Sequence, residues 1–436
     1  MLKAGLSELC ITPLLGSMMP GQFNVRFGSR ILDDLYTKAL VFENNGERAA
    51  VVSVDTLFLG DDVFACFREK LTEQTGIKDV IFAATHTHSG GPIDGWGDHL
   101  IKDETYADLV VNKSIDAVKT ALDKLQPVTI AAGMEKEHDI AFHRRFLMKD
   151  GSIRTNPGMK NPDIVKPAGP IDPDVTALRI NDLNGNVIGV LSSFSCHLDV
   201  LGGDEISADY PGELSNVIKN VYGKDTVSIF LTAPCGNINH TDVSGKFTTK
   251  KGHYKRLGKV LAGKVIAAAE KAPVMENNSI AVKYETIECA CRQPTKEEAN
   301  AGRALIEKEK RTHAELCSAR DGSLQNLFYA KEAVRMYDNP EPTAKMEIMA
   351  LKIGDMVIIT MPAELFVEFA LDIKTADDFP YIMVSSLTNG LVGYVLTKEA
   401  LEAGSYESLL ASSSKMAAEA GYEMVNAAKK LMKNLK

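Results

Sequence analysis

Among 436 residues there is a single tryptophan, and no run of lysine or arginine forms a stripe along the chain; 49 Lys plus Arg stand against 58 Asp plus Glu, a net charge of −9. Such a surface cannot neutralise a line of phosphates, which excludes nucleic acid as a partner. No apolar stretch approaches the roughly 20 residues that a membrane span requires. At the N-terminus Lys3, Glu8 and Pro13 interrupt the place where an apolar signal segment would sit, which predicts a cytoplasmic protein. The seven cysteines (Cys10, Cys66, Cys196, Cys235, Cys289, Cys291, Cys317) are odd in number and scattered. The one close pair, Cys289 and Cys291, has a single residue between its members rather than the two of a zinc or redox motif. No disulfide framework is implied, and each thiol reads as a small buried hydrophobe. Repeats, low-complexity tracts and linkers are also missing.

What is present is globular. At 45% hydrophobic and 25% charged residues the chain can bury a sizeable core. Apolar runs rich in Val, Ile and Ala alternate with amphipathic stretches, the pattern of an α/β protein. Strands are predicted at TKALVFE, RAAVVSVD, VIFAATH, VTIAAG, VTALRI, VIGVLSSFSCH, VSIFLTAP, IAVKYETI, MEIMALKI, MVIITMPAE and IMVSSLT. Helices are predicted at DDVFACFREKLTEQ, YADLVVNKSIDAVKTALDKL, GELSNVIKNVY, YKRLGKVLAGKVIAAAEKA and SSKMAAEAGYEMVNAAKKLMKNL. NNG, Asn-Gly-Asn and Gly-Asp between apolar runs read as hairpin turns, so part of the sheet must be antiparallel. The expectation is a mixed β-sheet core flanked by helices over residues 1–436 as one domain, with a charged helical insertion at 295–337 read as a pair broken near Asp321-Gly322.

Chemistry collects at strand ends. VIFAAT runs into His86-Thr-His88, GVLSSFSC into His197, MVIITMPA into Glu364, and IMVSSLTNGLVG into Tyr394. Ligand sites in α/β folds lie beyond the carboxyl ends of strands, so these residues have a reason to converge. His86 and His88 are two apart, which puts both rings on one face of an extended backbone. Two imidazoles and a carboxylate with an open water position are a catalytic zinc set. The bland alternative for each histidine is a strand cap hydrogen-bonded to its own loop.

The stretch ATHTHSGG (Ala84 to Gly91) resembles the ATHTHSGP motif of the neutral/alkaline non-lysosomal ceramidases, in their N-terminal catalytic domain. Further segments follow in the same order. SFSCH at His197 is similar to that family's WFAIHP, SADYPGELS to its SDNVGYAS, APCGNINH (Ala233 to His240) to its GDVSPN, MPAELFVEF to its PGEFTTM, and LTNGLVGYVLTKEAL to its LxNxYTHYITTYEEY. The resemblance runs from Gly5 to about Tyr406 and implies a ceramidase-like catalytic domain holding Zn2+ through His86, His197, Glu364 and Tyr394. It places His88 beside the metal as a hydrogen-bond donor or acid. It sets Arg144, with Arg145 a substitute, against the substrate, and gives Asp55 a supporting or substrate role.

The departures carry their own expectations. Where the family has the serine of GDVSPN, Asn239 stands here, and an amide cannot be that nucleophile. A metal-activated water, oriented by Asn239 and His88, is expected to attack an amide or ester carbonyl, with His88 or Tyr394 protonating the leaving group. His240, next in the chain, would be a base only if Asp242 oriented it. Gly202-Gly203-Asp204 and Asp209 are expected to wall the loop near His197. The family's additional C-terminal β-domain and signal peptide have no counterpart in this sequence. Together with Arg144, Arg145 and Trp96, a possible stacking surface, this shifts the expected substrate from a membrane lipid to a small polar molecule. A metal-dependent lyase or isomerase acting on a sugar-acid-like compound, and an inactive homologue with a closed metal shell, are the competing readings; the oligomeric state is left open.

Overall fold

The computed structural model describes residues 1–95, 100–247, 252–319, 321–376 and 378–436. Trp96, and with it the expected stacking surface, lies outside them. Eight strands form the first sheet: β1 (Lys3–Cys10), β2 (Tyr36–Asn44), β3 (Glu47–Val54), β4 (Asp79–Ala84), β5 (Gln126–Lys136), β6 (Asp174–Asp182), β7 (Val187–Phe194) and β8 (Val227–Thr232), in the order β8-β7-β6-β5-β1-β2-β3-β4. Helices α1 (Asp61–Thr75), α2 (Glu104–Asp123) and α3 (Tyr210–Tyr222) lie between these strands in the chain, and α4 (His253–Lys271) follows β8. A second sheet follows, with β9 (Ile280–Ala290), β10 (Thr343–Ile353), β11 (Met356–Met361) and β12 (Tyr381–Ser386) side by side. Between β9 and β10 lie α5 (Lys296–Lys308), α6 (His313–Ala319) and α7 (Ser323–Asp338). The chain then adds α8 (Val367–Lys374), a short α9 (Lys398–Glu402), a 3₁₀ turn at Tyr406–Ser408 and α10 (Ala420–Lys433).

The period-2 alternation of side chains decides the layering. Ala50, Val52 and Val54 of β3 join Ala39 and Val41 of β2 in a core under α1 and α2. Their neighbours Ala49, Val51, Leu40 and Phe42 point the other way and meet Met349, Leu351, Ile358 and Met383 of the second sheet. The remaining face of that sheet, Ile348, Ala350, Val357 and Ile359, packs against α8 and α10. The result is four layers, helix–sheet–sheet–helix. The mixed α/β class stands as the sequence predicts, but the single sheet becomes two stacked face to face, because strands buried on both sides carry no signature of which sheet they join.

The predicted hairpins are there: β2–β3, β6–β7 and β10–β11 are antiparallel. The turn at Asn45 (φ 52°) and Gly46 (φ 89°) has the two positive φ angles of a tight hairpin. Three neighbours, β3 with β4, β7 with β8 and β11 with β12, are parallel. In place of the expected helical pair there are three helices. The first is capped by a reciprocal Thr295–Glu298 box and the last opens at Gly322 (φ 79°), the predicted break. The C-terminal helix begins seven residues later than its pattern suggests. Ser414 and Met416 are instead held by bridges to Gly393 and Cys291. Among the described residues no helix is long and apolar enough to cross a membrane.

Close approach of backbone to backbone fixes α2 on the first sheet. A Cβ on Gly5 of β1 would fall well inside contact distance of the Ala121 carbonyl oxygen in α2. Gly5→Ala is therefore expected to lower the unfolding free energy by about 1–3 kcal/mol in a denaturant titration. An unchanged midpoint would mean that α2 can move aside without loss.

Candidate functional site

Four strand ends meet. β4 stops at Ala84, and His86 then adopts φ 74°, a left-handed conformation rare for a residue with a side chain. The extended geometry expected for His86 and His88 is thus absent; the two rings converge across a turn, nearly perpendicular at 81°. The His88 N–H donates to the Leu198 carbonyl, stitching this turn to the loop after β7 that carries His197. Glu364 follows β11, and its two-residue strand pairs in parallel with that of Tyr394, with Glu364 opposite Tyr394 in register.

The electrostatics of the three imidazoles follow from their backbone partners. Nδ1 of His86 lies 2.8 Å from the Leu57 carbonyl, Nδ1 of His88 2.8 Å from that of Gly21, and Nδ1 of His197 2.9 Å from that of Cys235. A carbonyl oxygen only accepts, so each Nδ1 carries the proton and each Nε2 is left as a lone-pair acceptor. These acceptors face one another, His86 to His197 at 3.1 Å and His86 to His88 at 3.4 Å. Glu364 Oε2 sits 3.4 Å from His86 Nε2 and 3.5 Å from His197 Nε2, buried and with no hydrogen-bond partner. Converging lone pairs beside an orphaned carboxylate oxygen repel unless a cation lies among them. This donor set fits a divalent metal ion: the ligand atoms of His86, His88 and His197 all lie within 4.8 Å of one another, with the Glu364 oxygen beside them. Burial first, and then His86, push His88 down to about 3, while burial and Arg144 lower His197. Burial works to raise Glu364, but His86 and His197 outweigh it and hold the carboxyl well below its usual range.

Arg144, expected to face the substrate, is committed elsewhere. Its Nε donates to Glu407 at 2.9 Å, its Nη2 to the Gly236 carbonyl at 2.7 Å and to the Tyr394 hydroxyl at 3.1 Å, and its Nη1 points at His197 Nε2 from 3.4 Å. Burial, then Glu364, raise the Tyr394 phenol well above its ordinary value, with Arg144 opposing them. Arg145 turns away and donates to the Ala400 and Gly404 carbonyls.

Other expected residues fall outside this cluster. The amide of Asn239 donates to Asn156 at 2.9 Å and accepts from the Thr241 N–H at 3.0 Å, so both ends serve its loop. Asp55 accepts from the Tyr36 N–H, holding strand ends together beneath the site. His240 faces Asp199 at 3.7 Å rather than Asp242, whose carboxylate accepts from the Ser244 and Phe247 N–H groups of its own turn. Burial would raise Asp199, but His197 and then His240 bring it down to about 2. Asp209 accepts from Val200 N–H and Leu201 N–H and so fixes the loop after His197, as expected of a wall. Gly21, Tyr406, Glu407 and Ser412 were not singled out by sequence; each is a lone residue in a loop, without spacing or periodicity to mark it.

The cluster opens into a cavity of about 270 Å³ walled by Leu57, Phe58, Leu391, Tyr406 and Ser412, with His86, His88 and Glu364 at its floor. Gly95 and Ser412, which line this cavity, also line a wider groove of about 1020 Å³ next to it. Ile101, Ile306, Leu324, Leu327, Phe328 and Val334 line the groove, four of the six from α7, so the inner side of the helical insertion is a wall rather than a solvated surface.

No family model matches the chain. Among curated proteins it is 26% identical over 224 residues to neutral ceramidase B of Dictyostelium discoideum and 27% identical over 173 residues to neutral ceramidase of Pseudomonas aeruginosa. The matched stretches cover 48% and 37% of this chain but only 30% and 24% of those relatives' lengths. The crystal structure of the Pseudomonas aeruginosa neutral ceramidase superimposes with a TM-score of 0.78 at 20% identity, over 100% of this chain and 74% of that one. A ceramidase complexed with C2 gives 0.76 at 18%, over 100% and 75%. The chain has a neutral ceramidase-like fold.

Proposed function

We propose that this protein is a zinc-dependent hydrolase that cleaves an amide or ester bond, with the metal held by His86, His197, Glu364 and Tyr394. The observation that carries the reading is the convergence of three unprotonated Nε2 atoms and one orphaned carboxylate oxygen at the floor of a cavity. Zinc bound there supplies Lewis acidity toward a carbonyl oxygen and acidifies water. The protein's own groups do the rest. His88, half-buried on the cavity side, presents a neutral Nε2, an acceptor rather than the expected donor, and would orient the attacking water by accepting a hydrogen bond from it. The Arg144 guanidinium, fixed on Tyr394, contributes positive charge beside the developing oxyanion. Asn239 shapes the loop that carries His197's neighbour Ile238 and takes no part in proton transfer.

The curated relatives are named as ceramidases, and the apolar groove next to the cavity supports the same substrate type, an N-acyl amide with its scissile bond at the histidines and a hydrocarbon arm along α7. That favours an amphiphile over the small polar substrate expected from Arg144, Arg145, Trp96 and the departures from the family pattern. The test is a panel of N-acyl amides and acyl esters of two to sixteen carbons, offered to protein with one zinc per chain. Turnover of the longer amides, at a rate above the uncatalysed reaction by at least about 10⁶, is the expected result. If protein of that zinc content cleaves neither amide nor ester, the hydrolase reading fails.

A further inference from the structure

Helix α7 carries a carboxylate on its inward side. Glu332 is 5% exposed, and burying a charge in this way is unfavourable unless it is fully paired. Its partners lie on two different elements. Arg335, one turn along α7, donates from Nε at 2.9 Å and Nη2 at 3.0 Å. Ser412 donates from its backbone N–H at 2.7 Å and also from its hydroxyl, both to Oε2. Ser412 walls both the cavity above the histidines and the groove. The next residue, Ser413, accepts the backbone N–H of Tyr394 through its carbonyl at 2.8 Å, and Ser414 bridges Gly393. A continuous set of hydrogen bonds therefore runs from the groove-lining helix to the strand of Tyr394. Phe23 reinforces it, with its ring 5.5 Å from Phe328 of α7 and 6.4 Å from Tyr406 at the cavity wall.

Glu332 is the α7 side chain that hydrogen-bonds the Ser412 loop directly, and the ring contacts of Phe23 with Phe328 and Tyr329 pack beside that link. A different tie of the helical segment, Arg303 of α5 to Asp338 of α7 at 2.6 Å and 3.1 Å, is exposed and joins the two helices to each other. The groove wall, Leu324, Leu327 and Phe328, sits within two or three turns of Glu332 on the same helix, so the contact of Glu332 with Ser412 bears on how that wall stands against the cavity.

We propose that Glu332 is a positioning residue that latches α7 to the Ser412 loop and thereby sets how long an acyl arm the groove accepts. This rests on the reading that the substrate is an N-acyl amide with its arm in the groove. The carboxylate orders the wall without touching the reacting bond, so its loss acts on binding of the arm and spares the chemical step.

The experiment compares the full-length wild type with E332A, E332Q and R303A, each checked for unchanged circular dichroism. Two readouts are taken: binding of dansyl-amine amides bearing acetyl or dodecanoyl groups, followed by fluorescence, and KM and kcat for the corresponding acyl amides. E332A is expected to weaken dodecanoyl binding and raise its KM about tenfold, the loss of two hydrogen bonds, with acetyl binding and kcat within twofold. E332Q keeps an acceptor oxygen for Ser412 and should restore most of the loss. R303A should leave every value within twofold. Equal losses for both chain lengths, a fall in kcat without a rise in KM, or E332A equal to wild type would each overturn the proposal. Should E332A fail the folding check, E332Q and a truncation of the partner, S412A, decide it by the same chain-length difference. Dansyl-amide binding is followed by stopped-flow fluorescence in the phase before turnover, so a protein that binds by chain length yet hydrolyses nothing would sink the hydrolase reading and leave the latch standing.

Discussion

Replacing His86 by alanine is expected to empty the proposed metal centre and to reduce amide hydrolysis by at least about 10³, the scale of removing a group that stabilises charge in the transition state. His86 is the hub of the cluster: its Nε2 is the atom from which His197, His88 and Glu364 are measured at 3.1, 3.4 and 3.4 Å. Without it the remaining donors lose their common point of approach. Metal content by elemental analysis, taken beside the hydrolytic rate, checks this directly. His86→Ala protein that still holds one zinc per chain and keeps its rate would refute the assignment. The substitution also has a backbone side, because φ at position 86 is 74° and alanine tolerates that region poorly. His86→Asn, which accepts a left-handed conformation more readily, separates the two effects: it should fold better than His86→Ala and bind metal no better.

The strand ends made this site legible. Glu364 and Tyr394 lie thirty residues apart in the chain, yet each follows an apolar run, and the structure pairs their backbones in register. His197 is brought beside His86 by contacts distant in sequence, a parallel bridge between Thr87 and Leu198 and the His88 N–H donated to the Leu198 carbonyl. Hairpin turns were readable for a local reason, the positive φ angles at Asn45, Gly46 and Gly354. What could not be read is what depends on contacts distant in sequence. The alternation in β2 and β3 says that both faces are apolar, but not that one face meets a second sheet contributed by residues 280–386. The charged character of 295–337 describes the outer side of α5 and α7; their inner side shows only once α7 is laid against Ser412. Arg144 was found by motif, but its partners could not be, since they are Glu407, 263 residues away, and Tyr394, 250 away.

Glu407→Ala is expected to destabilise the fold by about 3–5 kcal/mol, the usual consequence of stripping one partner from a buried charge pair. Glu407 is fully buried on the 3₁₀ turn, and Arg144 is 5% exposed. The carboxylate accepts from Arg144 Nε at 2.9 Å and from the Thr155 hydroxyl at 2.7 Å, and Arg145 Nε stands 3.9 Å away. Removing it leaves two buried guanidinium groups without their directly bonded anion, with Asp199 acting on Arg144 and Glu368 on Arg145 through charge alone. Arg144 would keep Gly236 and Tyr394 as acceptors but lose the bond that fixes its approach to them, so activity should fall along with stability. Denaturant unfolding at neutral pH measures the first effect. A double substitution isolates the cause: Arg144→Met in the Glu407→Ala background removes the stranded cation and should recover stability, so that the pair costs less than the single change. Additive losses from the two changes, or a Glu407→Ala protein within about 0.5 kcal/mol of wild type, which is the range of an uncoupled surface substitution, would show that the carboxylate does not hold Arg144 in place.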